Sequence, residues 1–156
     1  MKIDVWHIGK KSKNLYQDAE KEFTNRIKRY CQFSNSSIQA LKQTKSLSPQ
    51  ELLKKEAKLF ESKISANSFT VLLDEKGKQY NSREFANEIE KIRMSHPHIT
   101  FLIGGAYGFD EELKSRSGAL MSLSKMTLPH HLARVVFLEQ LYRAFSIINN
   151  EPYHND

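Results

Sequence analysis

The chain has 156 residues, 39% of them apolar and 27% charged, and its 24 Lys and Arg against 18 Asp and Glu leave a net charge of +6. That length suits one domain (1–156) with its own core, and the single cysteine, Cys31, excludes an internal disulfide and points to a reducing compartment. With no run of eighteen apolar residues and a start carrying Asp4 and His7, neither a membrane span nor a secretory leader is expected, and the location that follows is the cytoplasm.

Strand and helix signals alternate along the chain. Ile3, Val5 and Trp6 lead a first strand that stops near Gly9. Leu15, Ala19, Phe23, Ile27 and Tyr30, at steps of three and four, predict an amphipathic helix over 14–30. A short strand is expected over 36–41. Ser48-Pro49 then gives a hydroxyl at the N-cap and proline in the first turn, opening a helix through Leu52, Leu53, Ala57 and Phe60. Phe69 to Leu73 (FTVLL) is continuously apolar, as a strand covered on both faces requires, and Asp74 to Gly77 is expected to end it in a turn. A helix over 82–94, a second buried strand over 99–103 (ITFLI), a short helix over 110–114, a strand over 119–123 and a long helix over 130–149 complete the pattern. This order means a single α/β domain, a mostly parallel sheet with helices on both faces.

In such a sheet ligands bind at the carboxyl ends of the strands. Three ends stand out: Leu73-Asp74 with Gly77, Gly104-Gly105 with Gly108, and the stretch from Leu123 to His130. Glycines there either admit a ligand to the backbone or merely make a tight turn, and their spacing matches neither the dinucleotide nor the phosphate-loop fingerprint. The third stretch mixes apolar residues with small hydroxyls, which fits a ligand with an apolar face and polar edges, or an ordinary connection opened by Pro129. The last helix is apolar most of the way round, so it is buried on more than one side: by a second copy of the chain in a homodimer, or inside a monomer. No histidine, cysteine or carboxylate cluster has metal-ligand spacing, and His96 and His98, flanking Pro97, read as solvated loop residues.

Charge is unevenly spread. Residues 1–100 hold 19 Lys and Arg against 12 Asp and Glu, and residues 101–156 hold 5 against 6. The basic part suits an anionic partner, or simply a soluble surface.

Leu123 to His130, Arg134-Val135-Val136, Glu139 to Ala144 and Pro152-Tyr153-His154, together with Leu102 to Gly105 and Gly108, Leu73-Asp74 with Gly77-Lys78, and Gly9-Lys10, resemble the RlmH family of ribosomal large-subunit pseudouridine methyltransferases, of the SPOUT class. The resemblance covers the whole length, is densest from Phe101 onward and loosest between Ser34 and Lys63. It implies a SPOUT-type α/β knot, a C-terminal trefoil knot that no periodicity reveals. It also implies S-adenosylmethionine as cofactor, bound in a bent shape by Leu73, Gly104, Leu123, Ser124, Lys125, Met126, Thr127 and Leu128. The substrate so implied is N3 of a pseudouridine in large-subunit ribosomal RNA, and the working unit a homodimer without metal or membrane. Within that resemblance Arg143 is the expected anion or phosphate stabiliser, His154 the group for proton handling or base contact, and Tyr153 the base-positioning residue. A charge of +6 without an RNA-binding extension favours RNA within the assembled ribosome over naked RNA. The rival readings are a knotted methyltransferase acting on tRNA and a non-catalytic α/β RNA-binding module.

Overall fold

The computed structural model describes residues 1–9, 15–42 and 44–155. Among these, β1 (Lys2–Ile8), β2 (Gln32–Ile38), β3 (Phe69–Lys78), β4 (His98–Ile103) and β5 (Ala119–Met121) form one sheet, ordered β2-β1-β4-β3-β5, in which every neighbouring pair is parallel. The helices are α1 (Gln17–Ile27), α2 (Pro49–Glu61), α3 (Ser82–Ser95), α4 (Glu111–Arg116) and α5 (His130–Ile148). No described helix is long and apolar enough to cross a membrane.

Local chemistry starts the helices where the sequence predicts. Ser48 and Glu51 close a capping box with Pro49 in the first turn of α2, and Asn81 with Glu84 does the same for α3. The Asp110 side chain accepts from the Glu112 N–H to cap α4.

One sheet face, with Ile3, Val5, Val71 and Phe101, packs on α1, α3 and α5 through Ile27, Ile89, Phe137, Leu141 and Phe145. The other, with Leu72 and Leu102, packs on α2 and α4 through Ala57, Phe60 and Leu113. Phe137 is fully buried and its ring meets Phe101 at 4.7 Å; truncating such a side chain to alanine costs about 3–5 kcal/mol. α5 lies against both α1 and α3, which accounts for much of its apolar circumference. Leu132, Val135 and Val136 nevertheless remain half-buried.

Several expectations need correction. β2 begins at Gln32, because it is an edge strand defined by backbone pairing with β1 from Lys2↔Gln32 onward and buries only Phe33 and Ile38. β3 does not end at Asp74: after an irregularity Lys78 pairs with Met121, which also pairs with Leu73. β5 is three residues long, and α1 is shorter than predicted. Asn14 and Lys10 lie outside the described residues. His98 sits in β4 with its Nε2 2.8 Å from Asp4 Oδ2, and the His96 ring packs 4.9 Å from Phe69, so neither is a free loop histidine. Burial at Asp4 would raise its pKa, but hydrogen bonds from Ser34, Lys2 and His98 outweigh it and hold the carboxyl low.

Candidate functional site

The carboxyl ends of β3, β4 and β5 open into a cleft of about 570 Å³, within the size range of small-molecule sites. Seven of the eight residues expected around a cofactor line it: Leu73, Gly104, Leu123, Ser124, Met126, Thr127 and Leu128. Lys125 does not line the cleft and is exposed. Ile103, Gly105, Tyr107 and Gly108 complete one wall, and Leu53 of α2 and His130 and Ala133 of α5 reach it from two helices.

Glycine is required in this wall. Gly108 has φ +77°, and a Cβ on Gly104 would stand 2.7 Å from the Gly108 carbonyl oxygen, so the turn closes only without side chains. The Gly108 N–H donates to the Gly105 carbonyl at 3.2 Å. The opposite wall is irregular backbone held by its own hydroxyls: Ser122 Oγ donates to the Ser124 carbonyl at 3.0 Å, and the Met126 N–H to Ser124 Oγ at 2.9 Å. At the mouth Met126 is 78% and Tyr107 59% exposed, an apolar rim facing solvent.

The third wall follows from the bend in β3. Residues 74–77 loop past Met121, and the Ser122 N–H donates to the Lys78 carbonyl at 2.9 Å. A Cβ on Gly77 would meet the Met121 N and C atoms at 2.5 Å, so β5 passes directly against this glycine. Asp74, buried at the cleft, pairs with Lys114 at 3.1 Å. Burial alone would lower the Lys114 pKa, but Glu111 and Asp74 hold it above its usual value.

Arg134, 3% exposed, ties the start of α5 to the rest of the fold. Its guanidinium donates to Glu20 at 2.8 Å, to His131 Nδ1 at 2.8 Å and to His7 Nδ1 at 3.1 Å. Guanidinium only donates, so His7 accepts at Nδ1 and its hydrogen is on Nε2. Burial, then the charges of Arg134, His131 and His130, lower the His7 pKa to about 3.

Arg143, Tyr153 and His154 form a second constellation, toward the other end of α5. Arg143 Nε donates to Glu139 Oε1 at 3.0 Å, its guanidinium carbon lies 4.7 Å from the Tyr153 ring centre, and its Nη1 is 3.4 Å from His154 Nδ1. Tyr153 donates its hydroxyl to Glu139 at 3.1 Å and meets the Tyr142 ring edge-on at 4.6 Å. Glu139 raises the Arg143 pKa; burial, then Glu139, raises that of Tyr153. The chain end is thus docked, with Tyr30 donating to Glu151 at 2.5 Å. Sequence reasoning gives Glu139 no role in the site, although its place four residues before Arg143 on a helix is the signal for one.

The two constellations are not together within one chain. From His130 to Arg143, at the helical rise per residue, is about 20 Å. Among the described residues no group of His, Cys, Asp or Glu could hold a metal ion, and burial pushes the Cys31 thiol up to about 11, away from thiolate chemistry.

A family model described as a predicted SPOUT methyltransferase matches residues 1–154. Similar curated proteins include the ribosomal RNA large subunit methyltransferase H of Parabacteroides distasonis, 39% identical over 100% of both chains. Those of Christiangramia forsetii and Syntrophotalea carbinolica, with the same name, are 42% and 40% identical over 99% of both chains.

Proposed function

The chain belongs to the SPOUT methyltransferase family, and from that premise we propose that it transfers a methyl group from S-adenosylmethionine to N3 of a pseudouridine in large-subunit ribosomal RNA. The observation that carries the reading is the glycine-walled cleft at the carboxyl ends of β3, β4 and β5.

The cleft fits the donor. Leu73, Leu123, Met126 and Leu128 offer apolar surface to a purine, Ser124 and Thr127 offer hydroxyls to its polar edges, and Gly104 keeps the wall free of side chains. When bound, S-adenosylmethionine supplies a methyl group already activated on sulfonium. The protein's own tasks are then to orient the base and to manage one proton. Arg143 carries a permanent charge beside Tyr153 and His154, suited to stabilising an N3 anion. His154 provides an imidazole for that proton. Tyr153, its hydroxyl fixed by Glu139 and its ring against Tyr142, provides a face on which a base stacks.

The roughly 20 Å between cleft and tail along α5 supports a homodimer in which the tail of one subunit meets the cleft of the other. The half-buried Leu132, Val135 and Val136 on α5 support the same reading. The paired contacts of Met121 with Leu73 and Lys78, around which residues 74–77 loop, support the trefoil knot within a single domain. The modest charge of +6 supports action on assembled ribosomal particles in the cytoplasm rather than on free RNA.

The test is incubation with labelled S-adenosylmethionine and ribosomes from cells lacking the endogenous enzyme, followed by mass spectrometry of the nucleosides. N3-methylpseudouridine in large-subunit RNA is the expected product. Label in tRNA instead would keep the donor and discard the ribosome, and no label in any RNA would overturn the reading in favour of a binding module.

A further inference from the structure

Glu56 has no role in the site as described above. It lies in the middle of α2, in a lysine-rich stretch, yet is only 7% exposed, while Lys54, Lys55 and Lys58 around it are exposed. Among the described residues no donor or cation pairs with its carboxylate, and burial is what raises its pKa. Burying a carboxylate without a paired cation is costly, and an isosteric glutamine or an apolar residue would avoid the cost.

The place of the carboxylate suggests why it is retained. Both oxygens face Gly105, where an added Cβ would stand 3.2 Å from each, so only a glycine separates them from the cleft that Gly105 lines. Leu53, one turn earlier on the same helix, lines the cleft directly. Asp74, the other buried carboxylate at the cleft, is neutralised by Lys114, whereas no described residue does this for Glu56. Across a single residue, a negative charge acts on a ligand partly through protein and is only partly screened.

We infer that Glu56 is the counter-charge of the cleft: its carboxylate, set behind Gly105, favours a cationic ligand over a neutral one of the same shape. Resting on the assignment of the cleft to S-adenosylmethionine, this makes Glu56 a specificity-determining residue that distinguishes the sulfonium donor from its spent thioether product. The donor carries one positive charge more than the product, so the product is released in preference to it.

The test is calorimetric titration of S-adenosylmethionine and S-adenosylhomocysteine into wild type, Glu56→Gln and Glu56→Asp, with melting of each ligand-free protein. Glu56→Gln should weaken the donor about tenfold and the product less than about twofold, the size expected of one partly screened charge. Glu56→Asp, which keeps the charge, should keep most of the preference. Ligand-free Glu56→Gln should melt no lower than wild type, since it loses a buried charge that no described residue pairs. Equal weakening of both ligands, no weakening of either, or a lower melting point would make Glu56 a structural residue and overturn the inference. Wild type that binds neither ligand would overturn the donor assignment itself, and this inference with it.

Discussion

Gly77→Ala is the sharpest test of how the cleft is built. A Cβ there would stand 2.5 Å from Met121 N, 2.5 Å from Met121 C and 2.6 Å from Leu120 C, all of them backbone atoms that no rotamer change can move. Relief requires β5 to shift away from β3 by close to an ångström, which strains the Lys78 pairing and the Ser122-to-Lys78 hydrogen bond of 2.9 Å. Overpacking costs about 1–3 kcal/mol and a lost backbone hydrogen bond about 1 more, so a loss of about 3 kcal/mol is expected. For a chain of this size that lowers the melting temperature by roughly 6–12 °C. Gly118→Ala is the control: its Cβ would meet the Phe69 ring at 2.6 Å, but a ring at the end of a rotatable side chain can move, so the loss should be smaller. Calorimetric melting of both variants, with titration of S-adenosylmethionine, reads stability and cleft together. A Gly77→Ala protein that melts within a degree of wild type, or less affected than Gly118→Ala, would refute the argument that β5 passes against this glycine.

Ser48→Ala removes the α2 capping box and should cost about 1 kcal/mol in denaturant unfolding, leaving methyl transfer intact. The folded-state pKa of His7, about 3, lies below its ordinary 6.5, so its contribution is full above pH 6.5 and is lost as pH falls toward 3. Wild type should therefore lose about 2 kcal/mol more than His7→Asn between pH 7 and pH 5 in urea titrations, and parallel curves would count against a buried neutral imidazole. Arg143→Lys keeps the charge but loses the fork to Glu139 and the stacking on Tyr153; methyl transfer should fall at least ~10-fold with donor affinity unchanged by calorimetry. Gly104→Val and His154→Ala, each inactive alone, should on random subunit mixing regain about a quarter of wild-type activity, because half of the dimers then hold one complete composite site. A mixture that stays inactive would return cleft and tail to the same subunit.

What was legible in the sequence had a local cause. Ser48-Pro49 opens α2 because a hydroxyl cap and a proline act within one turn, and ITFLI is β4 because a strand covered on both faces must be apolar throughout. The start of β2 escaped because Ser34 to Ser37 have no apolar pattern; their place is set by backbone bonds to β1, which composition does not reveal. The continuation of β3 to Lys78 depends on Met121, more than forty residues later in the chain. Glu56 was passed over for a different reason. Its neighbours are lysines, and charged stretches read as solvated, yet Leu53, Glu56 and Phe60 follow steps of three and four. The periodicity that made Phe60 a core residue also turned Glu56 inward, and only its charge concealed this.

The same physics explains why both parts of the candidate site could be read from sequence while their relation could not. Residue type and local order pick out the three strand ends, the family resemblance names the individual cleft residues and the three tail residues, and most cleft residues meet because they end neighbouring strands of one parallel sheet. α5 joins the two parts, and an α-helix fixes distance: each residue between His130 and Arg143 adds about 1.5 Å, whatever its chemistry. Arg134 clamps one end to Glu20 and His7, and Tyr153, packed on Tyr142 and bonded to Glu139, holds the tail to the helix. A rod fixed in this way cannot fold its own tail back onto its own cleft. On the proposed reading, Arg143 and His154 reach a base presented to the cleft from a second copy of the chain, and the half-buried Val135 and Val136 of α5 support that reading.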